Sequence, residues 1–115
     1  LTVIADKQFL KIVYQNLVGN ALKYGYQNSE IRYGMKIVQT EKVFYFKNQG
    51  PPIPKKHLNI IFDKFERLDR DSSKKGTGLG LFNCKRIINS MKGKIWCESS
   101  NVYETVTFCF TLGKM

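Results

Sequence analysis

From Asp6 onward the chain places apolar residues three and four apart, so that Phe9, Leu10, Val13, Leu17, Ala21 and Tyr24 form one stripe. That spacing predicts an amphipathic helix, because residues at i, i+3 and i+4 share a face. Asp6 reads as its N-cap and Gly25 as its C-terminal stop. Before it, Leu1 to Ala5 is a short apolar run that reads as a strand. After it, Glu30 to Gln39 and Lys42 to Asn48 alternate in the manner of strands, with Thr40 and Glu41 as the tight connection between them. The second of these, Val43-Phe44-Tyr45-Phe46, is aromatic and β-prone throughout.

The pattern then breaks. Asn48 to Pro54 holds one glycine and three prolines and predicts a loop. Lys55 to Leu68 follows as a short amphipathic segment whose apolar face is Leu58, Ile61, Phe62 and Phe65. A polar run, Asp69 to Lys75, leads to Gly76-Thr77-Gly78-Leu79-Gly80-Leu81. Beyond it a second helix is expected to bury Leu79, Phe82, Ile87 and Met91 or their neighbours, with Gly93 as its C-terminal cap. Lys94 to Glu98 and Thr105 to Leu112 read as two closing strands joined by a polar turn around Asn101. The order β, α, β, β, loop, α, β, β predicts an α+β layer fold with helices on one face of a mixed or antiparallel sheet.

The length of 115 residues bounds this to one domain, covering 1–115, and 43% hydrophobic with 24% charged residues is a globular composition. A formal charge of +10 favours a polyanionic partner without naming one, and a solvated basic surface accounts for it equally well. Cys84, Cys97 and Cys109 are odd in number and too widely spaced for a metal-binding pair, so reduced, mostly buried thiols of a cytoplasmic protein are the simplest reading. No apolar run reaches the roughly 18 to 20 residues that span a bilayer. The chain opens inside a strand and without an initiator methionine, so it reads as a piece of a longer protein.

Alternate glycines at 76, 78 and 80 allow close backbone approach, and the helix behind them would aim its unpaired N–H groups at an anion. A dinucleotide fingerprint fails because position 81 is Leu. A Walker-type loop fails because Leu81-Phe82-Asn83 stands where Gly-Lys-Ser/Thr is needed. On the first helix Asn16 and Asn20 are four apart and share a side, with Lys23 one turn further on; alone, these would be ordinary surface chemistry.

Taken together, Asn16-Leu17-Val18-Gly19-Asn20-Ala21-Leu22-Lys23-Tyr24, Asn48-Gln49-Gly50-Pro51-Pro52-Ile53-Pro54, Phe62-Asp63-Lys64-Phe65-Glu66-Arg67 and Gly76-Thr77-Gly78-Leu79-Gly80-Leu81 resemble the catalytic and ATP-binding domain of sensor histidine kinases. In order they match its asparagine, first glycine, phenylalanine and second glycine boxes. The resemblance covers the chain from about Thr2 to Leu112. It implies a two-layer α/β sandwich of the Bergerat type, with a mixed, mostly antiparallel sheet and ATP held between the first helix and a lid running from about Pro54 to Gly80. It further implies that Asn20 is the Mg²⁺ ligand, with Asn16 one turn before it beside the phosphates. One amide oxygen suffices for an ion that keeps several waters and phosphate oxygens. Lys23 would neutralise phosphate charge, Tyr24 would lie against adenine, and Arg67 would reach the γ-phosphate. Asn48, Gly50, Ile53, Gly76, Thr77, Gly78, Leu79, Gly80, Leu81 and Thr105 would complete the nucleotide site. Phe62 and Phe65 would anchor the lid by packing.

Two departures stand out. The first glycine box of the family usually begins with Asp, which accepts a hydrogen bond from the adenine amino group; here Asn48 stands there, and losing charge assistance predicts adenine binding weaker by ~1 kcal/mol. Pro52 occupies the place of that box's second glycine, which puts the lid's hinge freedom in question.

Hydrolases of the wider superfamily carry a Glu four residues before the metal-binding Asn to activate water. Asn16 occupies that place and is no base, so transfer to another nucleophile is favoured over hydrolysis. The resemblance makes that nucleophile a histidine on the dimerisation domain of the parent protein, in two-component signalling with a response regulator downstream. His57 lacks the acceptor's usual context and reads as a surface residue. The parent is expected to be a homodimer, the isolated domain a monomer in the cytoplasm, and no nucleic acid is expected as a partner. A nucleotide-binding module without phosphotransfer and a serine-phosphorylating kinase of the anti-sigma type remain the alternatives.

Overall fold

The computed structural model describes residues 6–63 and 79–113. The expected strand at Leu1 to Ala5, and Phe65, Arg67, Gly76, Thr77 and Gly78, lie outside the described residues. The elements in order are α1 (Lys7–Tyr24), β1 (Ile31–Val38), β2 (Glu41–Gln49), a 3-10 turn at Lys55–His57, α2 (Gly80–Ser90), β3 (Ile95–Ser100) and β4 (Thr105–Phe110). The strands form one sheet in the order β1-β2-β4-β3, and every described pairing is antiparallel. Two helices on a four-stranded sheet give the expected two-layer α+β fold.

Asp6 starts α1 because its carboxylate accepts from the backbone N–H of Gln8 at 2.9 Å and Phe9 at 3.2 Å, satisfying two of the orphan donors of the first turn. The helix buries Val13, Leu17 and Ala21, with Leu10 packed at their edge. Phe9, expected in the stripe, is exposed. In α2 the buried line is Cys84 and Ile88, continued by Met91, while Leu81 and Ile87 flank it. The expected line through Phe82 and Ile87 is therefore off by about one position; Phe82 instead lies half-buried, with the Arg86 guanidinium 5.9 Å from its ring centre.

The sheet face under the helices follows from the period-2 alternation and the register. Phe44, Phe46 and Asn48 of β2 stand opposite Phe110, Phe108 and Val106 of β4. Tyr14 of α1 meets Phe46 and Phe110 edge-on at 5.0 and 6.0 Å, which fixes the helix over the two central strands. Phe62 joins the same core, 6.2 Å from the ring of Phe108. Each such side chain, fully buried, contributes on the order of 1.5–3 kcal/mol.

Two turns differ from expectation. The β1–β2 connection is Gln39-Thr40, one residue earlier than Thr40-Glu41, because Val38 pairs with Glu41. Both residues have positive φ, 49° and 72°, as a two-residue hairpin turn of right-handed twist demands. No glycine or asparagine marks them, so strand pairing overrides the local preference. The α2 terminus is a Schellman motif in which Lys92, not Gly93, is left-handed at φ 58°. The Lys92 N–H donates to Asn89 O at 3.0 Å and the Gly93 N–H to Ile88 O at 2.9 Å. Gly25 likewise follows α1 in an extended conformation, φ −75°, rather than as a left-handed cap.

All three cysteines are free and buried, as the composition suggested. Burial is the largest cause pushing the Cys84 and Cys97 thiols up to about 12 and Cys109 to about 11, from an ordinary value of 9.0. The unfolded chain thus loses these protons first as pH rises. Their contribution to stability is complete below pH 9 and declines above it, towards pH 11 and 12. A thiol reagent at pH 8 should label none of the three in the native domain and all three in urea, and the denaturation midpoint should fall as the pH is raised from 8 to 10.

Candidate functional site

With 3.6 residues per turn, Asn16, Asn20 and Lys23 fall within an arc of about 60° on α1. This row flanks the buried stripe on one side, while Leu22 lies on the other. The Asn16 side of the helix faces the start of α2. A Cβ placed on Gly80 would stand 3.2 Å from the Asn16 side-chain oxygen, tighter than most real contacts, so glycine at 80 serves the approach of α1 to α2. Burial raises the Cys84 thiol, and a hydrogen bond with the Asn16 side chain acts in the opposite direction, so the thiol lies within reach of that side chain. That neighbour carried no signal in the sequence, where Cys84 read only as a buried thiol.

The N-terminus of α2 has no side-chain cap and no acidic residue in its first turn. Among the described residues no side-chain cap meets its leading N–H groups and positive dipole end, which suits an anion. Leu79, Gly80 and Leu81 are here, each half-buried. The row on α1 brings a cation and two amides to the same side. The Lys23 ammonium lies 5.7 Å from the Tyr24 ring centre, which places the aromatic face beside it. Asn20 is half-buried, with no hydrogen bond from its side chain to the described residues. A single neutral amide oxygen fits Mg²⁺ only as one ligand among phosphate and water oxygens. Among the described residues no cluster of three or more His, Cys, Asp and Glu side chains exists to hold a metal by protein ligands alone.

The other wall is built where α1 ends against β2. Gly25 and Gly50 meet closely: a Cβ on Gly50 would be 3.1 Å from Tyr24 O and 3.2 Å from the Gly25 Cα, and one on Gly25 3.1 Å from Gln49 O and 2.5 Å from Ala21 O of its own helix. The Tyr26 N–H donates to Gln49 O at 2.8 Å, tying the end of α1 to β2, and the Gly50 N–H donates to Glu104 O at 2.9 Å, tying the end of β2 to the turn before β4. Thr105 follows there, half-buried and in register with Gln49. Ile53 is held by its N–H donating to Ser99 Oγ at 2.9 Å. Ser99, Glu104 and Gly25 act through backbone or hydroxyl contacts; only Gly25 had a sequence signal, and it pointed to a helix cap.

Asn48 is buried in this corner, 7% exposed. Its Nδ2 donates to Gln49 O at 3.3 Å. A cavity of about 280 Å³ also reaches Asn48, lined by Ala21, Leu22 and the loop from Gly25 to Ser29. It lies on the far flank of α1 from Asn16, Asn20 and Lys23, and Asn48 alone of the predicted site residues lines it. His57 is half-buried in the 3-10 turn, with its backbone carbonyl accepting from Ile60 and Ile61.

The sequence matches the model of the family described as histidine kinase-, DNA gyrase B-, and HSP90-like ATPase over residues 5–114. It is 34% identical to the sensor histidine kinase WalK of Bacillus subtilis, over 97% of this chain and 19% of that protein. It is 39% identical to the adaptive-response sensory kinase SasA of a Nostoc species, over 96% of this chain and 27% of that one. The chain thus spans about a fifth to a quarter of these relatives. Among solved structures, the nucleotide-free catalytic domain of the histidine kinase ThkA superposes with a TM-score of 0.79 at 35% identity, covering 96% of this chain and 69% of that one. ThkA in complex with the response regulator TrrA gives a TM-score of 0.75 at 32% identity, covering 96% of this chain and 30% of that one.

Proposed function

The chain belongs to the histidine kinase-, DNA gyrase B- and HSP90-like ATPase family, and on that premise we propose that it binds Mg-ATP and transfers the γ-phosphoryl group to a histidine on the dimerisation domain of its own parent protein. The observation that carries this reading is the row of Asn16, Asn20 and Lys23 on the flank of α1 that meets the uncapped start of α2. That arrangement offers a polyphosphate a cation, a metal-ligating amide and a helix dipole from one direction.

In this reading Asn20 holds Mg²⁺ through its side-chain oxygen, and the ion when bound neutralises phosphate charge. Lys23 meets the phosphates from α1, and Arg67 reaches the γ-phosphoryl group from the lid. Tyr24 and Asn48 receive the adenine. Asn16 has no basic lone pair with which to deprotonate water, so the site is built for positioning rather than for hydrolysis. An imidazole nitrogen of the partner domain forms the new P–N bond as the bond to the ADP oxygen breaks. Downstream transfer to a response regulator is supported by the ThkA–TrrA complex. Among the described residues no helix is long and apolar enough to cross a membrane, and a cytoplasmic site of action is part of the proposal.

The test is transfer from γ-labelled ATP to the separately supplied dimerisation domain of the parent. Label that is stable in base and lost in acid is expected. Acid-stable label would favour a serine kinase, and nucleotide binding without any label would favour a module that has lost phosphotransfer.

A further inference from the structure

The helices do not reach the whole of the sheet. α1 packs on β2 and α2 on β3, while β1 lies at the other end of the strand order and, among the described residues, has β2 as its only neighbour. All eight residues of β1 pair with β2 without a bulge and none is proline, so its outer edge carries an unbroken row of unmatched N–H and C=O groups. The core face of the sheet also runs on past the helices. Phe108 and Phe110 of β4 stand opposite Phe46 and Phe44 of β2, and these stand opposite Tyr33 and Met35 of β1. Tyr33 stacks on Phe46 at 5.6 Å yet is 71% exposed, and Ile37, further along the same face, is 67% exposed. On the reverse face β1 carries Arg32 and Lys36, and Lys47 stands opposite Arg32. Among the described residues Lys36 and Lys47 have no carboxylate partner, and Arg32 has only Glu30, in a pair whose side chains are each 73% exposed.

We propose that the outer edge of β1 docks an extended segment of a partner protein in which apolar residues alternate with aspartate or glutamate. Such a strand takes up the edge backbone groups and lays its apolar side chains beside Tyr33, Met35 and Ile37. Its carboxylates then fall on the reverse face, against Arg32 and Lys36 with Lys47 behind them. Because side chains alternate between faces, a segment whose acidic and apolar residues come in pairs matches neither face. The excess of positive charge on the whole chain, +10, favours the same partner. A second copy of this chain suits the edge less well. Antiparallel self-pairing centred on Gly34 puts Arg32 opposite Lys36, and centring on Lys36 sets that lysine against itself, so like charges oppose each other directly. Asn16 faces the start of α2, at the other end of the layer, so this surface is separate from the row on α1.

The test uses capped octapeptides: one alternating valine and glutamate, its valine–lysine counterpart, and the glutamate peptide with every backbone N–H methylated. Titrated into the domain, the glutamate peptide should bind saturably and about tenfold or more tighter than the lysine peptide, the scale of two attractive exposed charge pairs exchanged for two repulsive ones. Amide hydrogen exchange should slow within Ile31–Val38 as it binds, and the methylated peptide should not bind. The double variant Arg32→Glu, Lys36→Glu should reverse the charge preference. If that variant does not fold, the wild-type preference and the methylated peptide decide the matter. No binding at millimolar peptide overturns the proposal, as does binding that ignores the peptide's charge, survives methylation or leaves exchange in β1 unchanged. Slowed exchange of the same amides in the domain alone at high concentration, or in the parent protein alone, would give the edge to a second copy or to the parent's own chain and overturn it equally.

Discussion

Gly93→Ala is expected to destabilise the domain by about 3 kcal/mol or more, the upper end for overpacking a closed site. The added Cβ would stand 1.9 Å from Thr111 O, 2.8 Å from the Thr111 carbonyl carbon and 3.1 Å from the Leu112 Cα. All three are main-chain atoms, so no side chain can swing aside. The neighbouring backbone is held as well: the Thr111 N–H donates to Lys94 O at 2.8 Å and the Gly113 N–H to Met91 O at 2.9 Å, locking the end of β4 to the α2 terminus. Urea denaturation should show a midpoint lowered by about 30% or more for a domain of ordinary stability, about 10 kcal/mol, with an unchanged slope. A shift under about 0.5 kcal/mol, the range of an ordinary surface change, would mean that the close approach of α2 and β4 is wrongly drawn.

The second large effect is on chemistry rather than on folding. Asn20→Ala should reduce phosphotransfer by on the order of 100-fold, the scale of losing one well-placed polar group at a phosphoryl site. Stability should change little, because Asn20 lies outside the buried stripe, is half-exposed and makes no side-chain hydrogen bond to the described residues. Single-turnover labelling alongside a thermal melt separates the two. An intact rate would remove Asn20 as the metal ligand, and a collapsed melt would reassign it to structure.

Much of the fold was legible because its elements follow simple periods. The spacing of Val13, Leu17 and Ala21 gave α1, and the alternation of Val106, Phe108 and Phe110 gave β4. Asp6 was readable as a cap because its carboxylate serves only its own helix. What failed depended on partners distant in sequence. Gly25 and Gly93 do close their helices, but what requires glycine there is crowding by main-chain atoms, Ala21 O and Gln49 O in one case and Thr111 O in the other. Gln39-Thr40 adopts two positive φ angles against its own preference because strand register demands them. Of the site, the helical row Asn16, Asn20 and Lys23 was readable by period. The approach of Cys84 to the Asn16 side chain was not, since no spacing encodes a contact between elements.

The most direct test of the account is titration of the domain with a non-hydrolysable ATP analogue in the presence and absence of Mg²⁺, repeated on Asn20→Ala. Saturable binding that tightens with Mg²⁺ in the wild type and loses that dependence in Asn20→Ala is the predicted result. No binding at millimolar nucleotide, or binding whose Mg²⁺ dependence survives in Asn20→Ala, would contradict it.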